Sequence, residues 1–132
     1  MIGLFRKRAS PRPDARAIVL GNCFNTREWY EACDPLVRTF VDMACESHWR
    51  DFQAENTSPA HFAIRPVAEQ TESIRKLVEF GNNEIDSGNE VSGRAAHLMS
   101  AYLSAIATGD RELEQAVGPL LKIITRDGSG TA

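Results

Sequence analysis

Between Leu36 and Phe52, residues able to line a core recur three or four apart: Leu36, Val37, Phe40, Val41, Ala44, Cys45, His48, Trp49 and Phe52. That spacing lays one wide apolar face along a helix. Arg38, Asp42, Glu46 and Arg50 recur every fourth residue and are read as its polar side, spaced for Arg38–Asp42 and Glu46–Arg50 pairs. Asp34 followed by Pro35 opens the segment, an N-cap side chain before a proline at N1. A helix is predicted over about 34–54.

Two more long segments repeat the pattern. Over about 66–87, Val67, Ile74, Leu77, Val78, Gly81 and Ile85 share one face, and Gly88-Asn89 ends the run. Over about 91–108, Val91, Ala95, Leu98, Tyr102 and Ile106 form a buried stripe. Beside it runs a second stripe of small residues only: Gly93, Ala96, Ser100, Ser104 and Ala107. Small residues let helices approach closely. This helix is therefore expected to pack on two sides, at the centre of the fold or at a dimer seam. Gly109 stops it and Asp110 caps the next.

The shorter segments are less regular. Asp14 is expected to cap a brief helix over Ala15–Leu20, halted by Gly21-Asn22, with a new segment from Thr26. Asn56 to Pro59 reads as a loop, and Arg65 before Pro66 as extended. The last amphipathic run, Leu113 to Ile124, contains Pro119, which removes a helical hydrogen bond and kinks or breaks it. The expected fold is all-α: a single-domain bundle of four to five helices over 14–125, a flexible basic arm over 1–13 and a disordered tail over 126–132.

Charge changes this picture at one end. The first sixteen residues hold five cations, Arg6, Lys7, Arg8, Arg12 and Arg16, against the single acid Asp14. The chain as a whole is −3, so everything after residue 16 carries −7. A basic leader on an acidic body points to an anionic surface or an acidic partner. Leu4 and Phe5 beside Arg6, Lys7 and Arg8 suit weak contact with an anionic lipid surface. The acidic body disfavours nucleic acid. An odd cysteine count with no repeated spacing (Cys23, Cys33, Cys45) reads as free thiols in a reducing compartment. The expected location is the cytoplasm, with peripheral membrane attachment through residues 1–8 as the variant.

Candidate chemistry is sparse. Cys45-x-x-His48 has metal-like spacing on one helix face, with Cys33 or His61 available to complete a site. One such pair is not a metal signature, and a core-edge histidine is the plainer reading. Cys23 after a turn at Gly21-Asn22 is a possible activated thiol. The carboxylate pairs Glu69/Glu72 and Glu112/Glu114 fall on polar faces. No phosphate-binding glycine motif and no Glu-x-x-His pair occurs. No cofactor or metal is expected.

Seven of the ten aromatics lie within residues 24–62. Trp29 and Tyr30 are adjacent and cannot both point inward, so one is an interface candidate. The reading that follows is a non-catalytic helical interaction or regulatory module, binding another protein or a second copy of itself. Its contact residues are expected to be Trp29, Tyr30, Gly93, Ala96, Ser100 and Ser104. The rival reading is a small enzyme or a ligand- or metal-binding domain with a pocket near His48, His61 and Cys45.

Overall fold

A computed structural model describes residues 15–56 and 58–118. The leader residues Leu4, Phe5, Arg6, Lys7 and Arg8, with the arm and tail assigned to 1–13 and 126–132, lie outside the described residues. So do Pro119 and the rest of the last amphipathic run.

The described residues form six helices and no strand: α1 (Ala15–Glu31), α2 (Pro35–Glu55), α3 (Pro59–Ala63), α4 (Val67–Asp86), α5 (Glu90–Thr108) and α6 (Arg111–Val117). The fold is all-α, as the periodicity required. None of these helices is long and apolar enough to cross a membrane.

α5 is the axis. The other five helices all pack against it, most extensively α4. Nearly the whole stretch from Gly93 to Ala105 is buried on α5. The core around it includes Val19 and Cys23 of α1, Val41, Cys45, Trp49 and Phe52 of α2, and Phe62 of α3. Leu113, Ala116 and Val117 of α6 complete it. Trp49 stacks on Phe52 at a centroid distance of 5.0 Å and meets Tyr102 of α5 edge-on at 6.1 Å.

α1 corrects the expectation of a stop at Gly21-Asn22 and a restart at Thr26. The helix runs unbroken through both points. Val19, Cys23 and Thr26, at i, i+4 and i+7, are all buried. A glycine inside a helix costs about 1 kcal/mol, less than burying such a continuing face returns. α1 ends at a turn that Arg38 of α2 completes. Its Nε donates to the Tyr30 carbonyl at 3.1 Å and its Nη2 to the Glu31 carbonyl at 2.8 Å, covering the exposed C-terminal acceptors of α1. Asp34 precedes Pro35 as expected, but its side chain makes no capping bond.

The other boundaries follow local chemistry. Ser58 accepts from the His61 backbone N–H at 3.1 Å and starts α3. α4 ends in a Schellman motif: Gly88 has φ 92°, its N–H reaches the Ile85 carbonyl, and the Asn89 N–H reaches Glu84. Gly109, at φ 69°, ends α5, and Asp110 accepts from the Leu113 N–H at 3.1 Å to cap α6. The Glu46–Arg50 pair forms at 3.3 Å.

Three apolar positions assigned to the core are overturned. Leu36 and Phe40 on α2 are 65% and 47% exposed, and Val67 at the start of α4 is 74% exposed. One neighbouring helix covers only part of so wide a stripe. α5 takes the side holding Val41, Cys45, Trp49 and Phe52 and leaves the rest uncovered.

Candidate functional site

The small-residue stripe of α5 has an internal role along most of its length. Gly93 and Gly81 sit where α5 and α4 cross. A Cβ built on Gly93 would stand 2.6 Å from the Gly81 carbonyl oxygen, and one built on Gly81 would stand 2.9 Å from the Gly93 carbonyl oxygen. Ala96 and Ser100 are wholly buried, and the Ser100 hydroxyl donates to the His97 carbonyl at 2.7 Å. Gly93, Ala96 and Ser100 are therefore occupied by the fold itself, and a seam with a second copy through them is corrected. Ser104 is different, as is Ala107. Both lie partly exposed on the floor of a groove.

That groove is bounded by α1 and α4, with the end of α5 beneath. Its volume is about 680 Å³. Ile18 and Val19 form one wall; Ile74 and Val78 form the other. Ion pairs stand at both rims. On one side Arg16 bridges Asp110 and Glu112; on the other Arg75 bridges Glu72 and Glu79. The pairing holds the Asp110 and Glu72 carboxyls below their ordinary range, in each case chiefly through the hydrogen bond from its arginine. The groove is therefore an apolar slot between charge-paired edges.

Away from the groove, α2 carries a second uncovered apolar surface. Leu36, Phe40 and Met43, at i, i+4 and i+7, are 65%, 47% and 58% exposed. At 100° per residue the mean direction of these three lies roughly 170° from that of Val41, Cys45, Trp49 and Phe52, away from the side that packs on α5. Sequence reasoning placed Leu36 and Phe40 in the core and overlooked Met43. The available signal was the width of the stripe, broader than one packing partner accommodates.

Trp29 and Tyr30 are both half-buried, so neither is a free anchor. The Arg94 guanidinium lies 5.8 Å from the Trp29 ring centroid, and Arg38 lies 5.4 Å from that of Tyr30. The Tyr30 hydroxyl donates to Asp42 at 3.3 Å. Burial, seconded by the Asp42 charge, raises its pKa.

The residues of the rival reading are not brought together. Cys45 is buried, and burial pushes its thiol up to about 12. Cys23 is buried as well, raised to about 11. Both are poor nucleophiles at neutral pH, and no turn precedes Cys23. His61 is exposed on α3. Among the described residues no three His, Cys, Asp or Glu side chains are placed to hold a metal ion.

His48 alone of that set lines a cleft, of about 230 Å³, between the second half of α2 and the middle of α4. Its ring meets Phe80 of α4 edge-on at 5.9 Å. Burial lowers the His48 pKa, opposed by the Asp51 charge and the Ser92 backbone. Phe52, Phe62, Met99 and Leu103 form the cleft's apolar floor. Asp51 and Glu55 stand on the α2 side; Ser73 and Lys76 stand on the α4 side.

No protein-family model, curated protein or solved structure matches the chain.

Proposed function

We propose that this protein is a non-catalytic helical interaction module that self-associates, the outward face of α2 in one copy lying in the α1/α4 groove of the next. One observation carries the reading: the chain displays both halves of a helix-in-groove contact. Leu36, Phe40 and Met43 are large apolar side chains at helical spacing on an uncovered face. The groove is apolar, and its floor at Ser104 and Ala107 is low enough for a helix to settle closely. None of the three α2 residues lines the groove, and they point away from α5, so among the described residues one molecule presents both surfaces at once. Such a contact is heterologous: it closes into a ring or propagates, according to the rotation between copies. Burying three such side chains supplies several kcal/mol, from which association subtracts the loss of free motion.

Light scattering across a concentration series tests the reading. The wild-type mass is expected to rise with concentration. Phe40→Asp removes the knob, Ala107→Trp fills the groove, and each alone is expected to give a monomer. Mixing the two variants is the decisive arm. The Ala107→Trp copy keeps an intact α2 and the Phe40→Asp copy an intact groove, so the mixture forms a one-to-one dimer. A wild-type protein that stays monomeric at high micromolar concentration overturns the proposal. So does a mixture that fails to pair while each variant remains folded by circular dichroism.

A further inference from the structure

We propose that the cleft between α2 and α4 binds a small primary amine that carries one aromatic or branched apolar group. This inference is independent of the self-association reading, since the cleft and the groove share no lining residue.

The cleft is built by the fold and held at both ends. At one end His48 of α2 meets Phe80 of α4. At the other, Asn56 accepts from Arg65 Nη1 at 2.8 Å, and Arg65 donates in turn to Glu69 at 2.8 and 3.1 Å. Gln70 pins the start of α4 to α3 by donating to the Phe62 and Ala63 carbonyls at 2.9 and 3.1 Å. These ties fix the two walls without filling the space between them. Little rearrangement is then needed for a ligand to enter.

Size and lining specify the ligand. An apolar cavity of roughly 150 Å³ accommodates benzene. The 230 Å³ here leaves room for one ring and a short polar arm. The floor is apolar and buried: Phe52, Phe62, Met99 and Leu103. The polar side bears two carboxylates, Asp51 and Glu55, one turn apart on α2. Lys76 is the single permanent cation opposite them. Burial disfavours the charged form of His48, so the lining sets two carboxylates against the one lysine and its net charge is negative. An ammonium group meets that rim with charge-assisted hydrogen bonds, while its apolar body covers the floor.

Calorimetry and amide NMR on the full chain test this with three probes: 2-phenylethylamine, 3-phenylpropanoate and toluene. The amine is expected to bind saturably and to shift resonances of residues lining the cleft. The carboxylate and the neutral ring are expected to bind at least about tenfold more weakly, the factor a lost hydrogen bond to a charged group represents. The double substitution Asp51→Asn/Glu55→Gln, on side chains that carry no core packing, is expected to weaken the amine by a similar factor and leave the circular dichroism spectrum unchanged. Three results would each overturn the proposal: no saturable binding of the amine, a carboxylate or neutral probe that binds as tightly, or an amine affinity untouched by the double substitution.

Discussion

Gly81 of α4 and His97 of α5 are in contact so close that a Cβ on Gly81 would lie 2.7 Å from the imidazole Nε2. The crossing of these two helices, the most extensive helix packing among the described residues, depends on that missing methyl group. The imidazole has little freedom to withdraw, because its Nε2 is hydrogen-bonded to Asn82 Oδ1 at 2.9 Å and the residue is buried. Behind it stands the Gly93 backbone, which cannot yield.

Glycine-to-alanine substitutions should therefore have opposite signs at two helical positions. Gly81→Ala is expected to destabilise the fold by about 1–3 kcal/mol through overpacking, despite the better helix propensity of alanine. Gly21, inside α1, has nothing within 4 Å of an added Cβ. Gly21→Ala is expected to stabilise by up to about 1 kcal/mol. Urea denaturation of both variants measures the two effects, and equal signs would contradict the packing described for α4 and α5.

Gln70 provides a second test. Its buried amide is the donor for two carbonyls at the end of α3. Gln70→Leu keeps a side chain of similar bulk and leaves those acceptors without that donor. A loss of about 1–3 kcal/mol is expected, with faster amide exchange in α3 and at the start of α4.

Stability should also depend on pH through His48 and His97. Burial lowers both pKa values from 6.5, seconded at His97 by the Arg94 charge. A histidine whose folded pKa is depressed binds fewer protons when folded than when unfolded. Its contribution is complete above about 6.5 and is lost as pH falls through the folded pKa. The melting temperature is expected to drop between pH 7 and pH 5, and His48→Gln is expected to flatten part of that slope. The carboxyls of Asp110 and Glu72, also depressed, act in a separate window: their contribution disappears only as pH falls below the ordinary carboxylate range.

The thiols should differ sharply in reactivity. Cys33 is partly accessible at the α1–α2 turn, whereas Cys23 and Cys45 are buried with pKa values of about 11 and 12. One thiol, Cys33, is expected to react with a disulfide reagent in the native protein, and all three after denaturation. Mass mapping of the labelled peptide identifies it. Fast labelling at Cys23 would restore the reactive-thiol reading that its burial opposes.

The existence of α2, α4 and α5 was legible from the spacing of apolar residues alone, but the buried face of α2 was not: Leu36 and Phe40 share the apolar spacing and yet face outward. Gly88-Asn89, Gly109 and Asp110 were also legible as boundary residues, because caps and left-handed stops are local chemistry. The candidate surfaces were not legible to the same degree. Ser104 proved to belong to an open groove, whereas Gly93, Ala96 and Ser100 from the same stripe are enclosed. Their residue types do not differ in kind; what differs is how completely neighbouring helices cover them. Gly21 shows the same limit from the other side. A local stop signal was overridden because Val19, Cys23 and Thr26 are all buried on the side of α1 that packs into the core.

Periodicity along the chain thus determined that this protein is a set of amphipathic rods and where most of them begin and end. Tertiary packing decided which part of each apolar stripe is covered. It made α5 the common axis, left Leu36, Phe40 and Met43 facing outward, and opened one slot on each side of α4. The reason is physical: a side chain's spacing is set by its own helix, whereas its burial is a property of whatever neighbour reaches it.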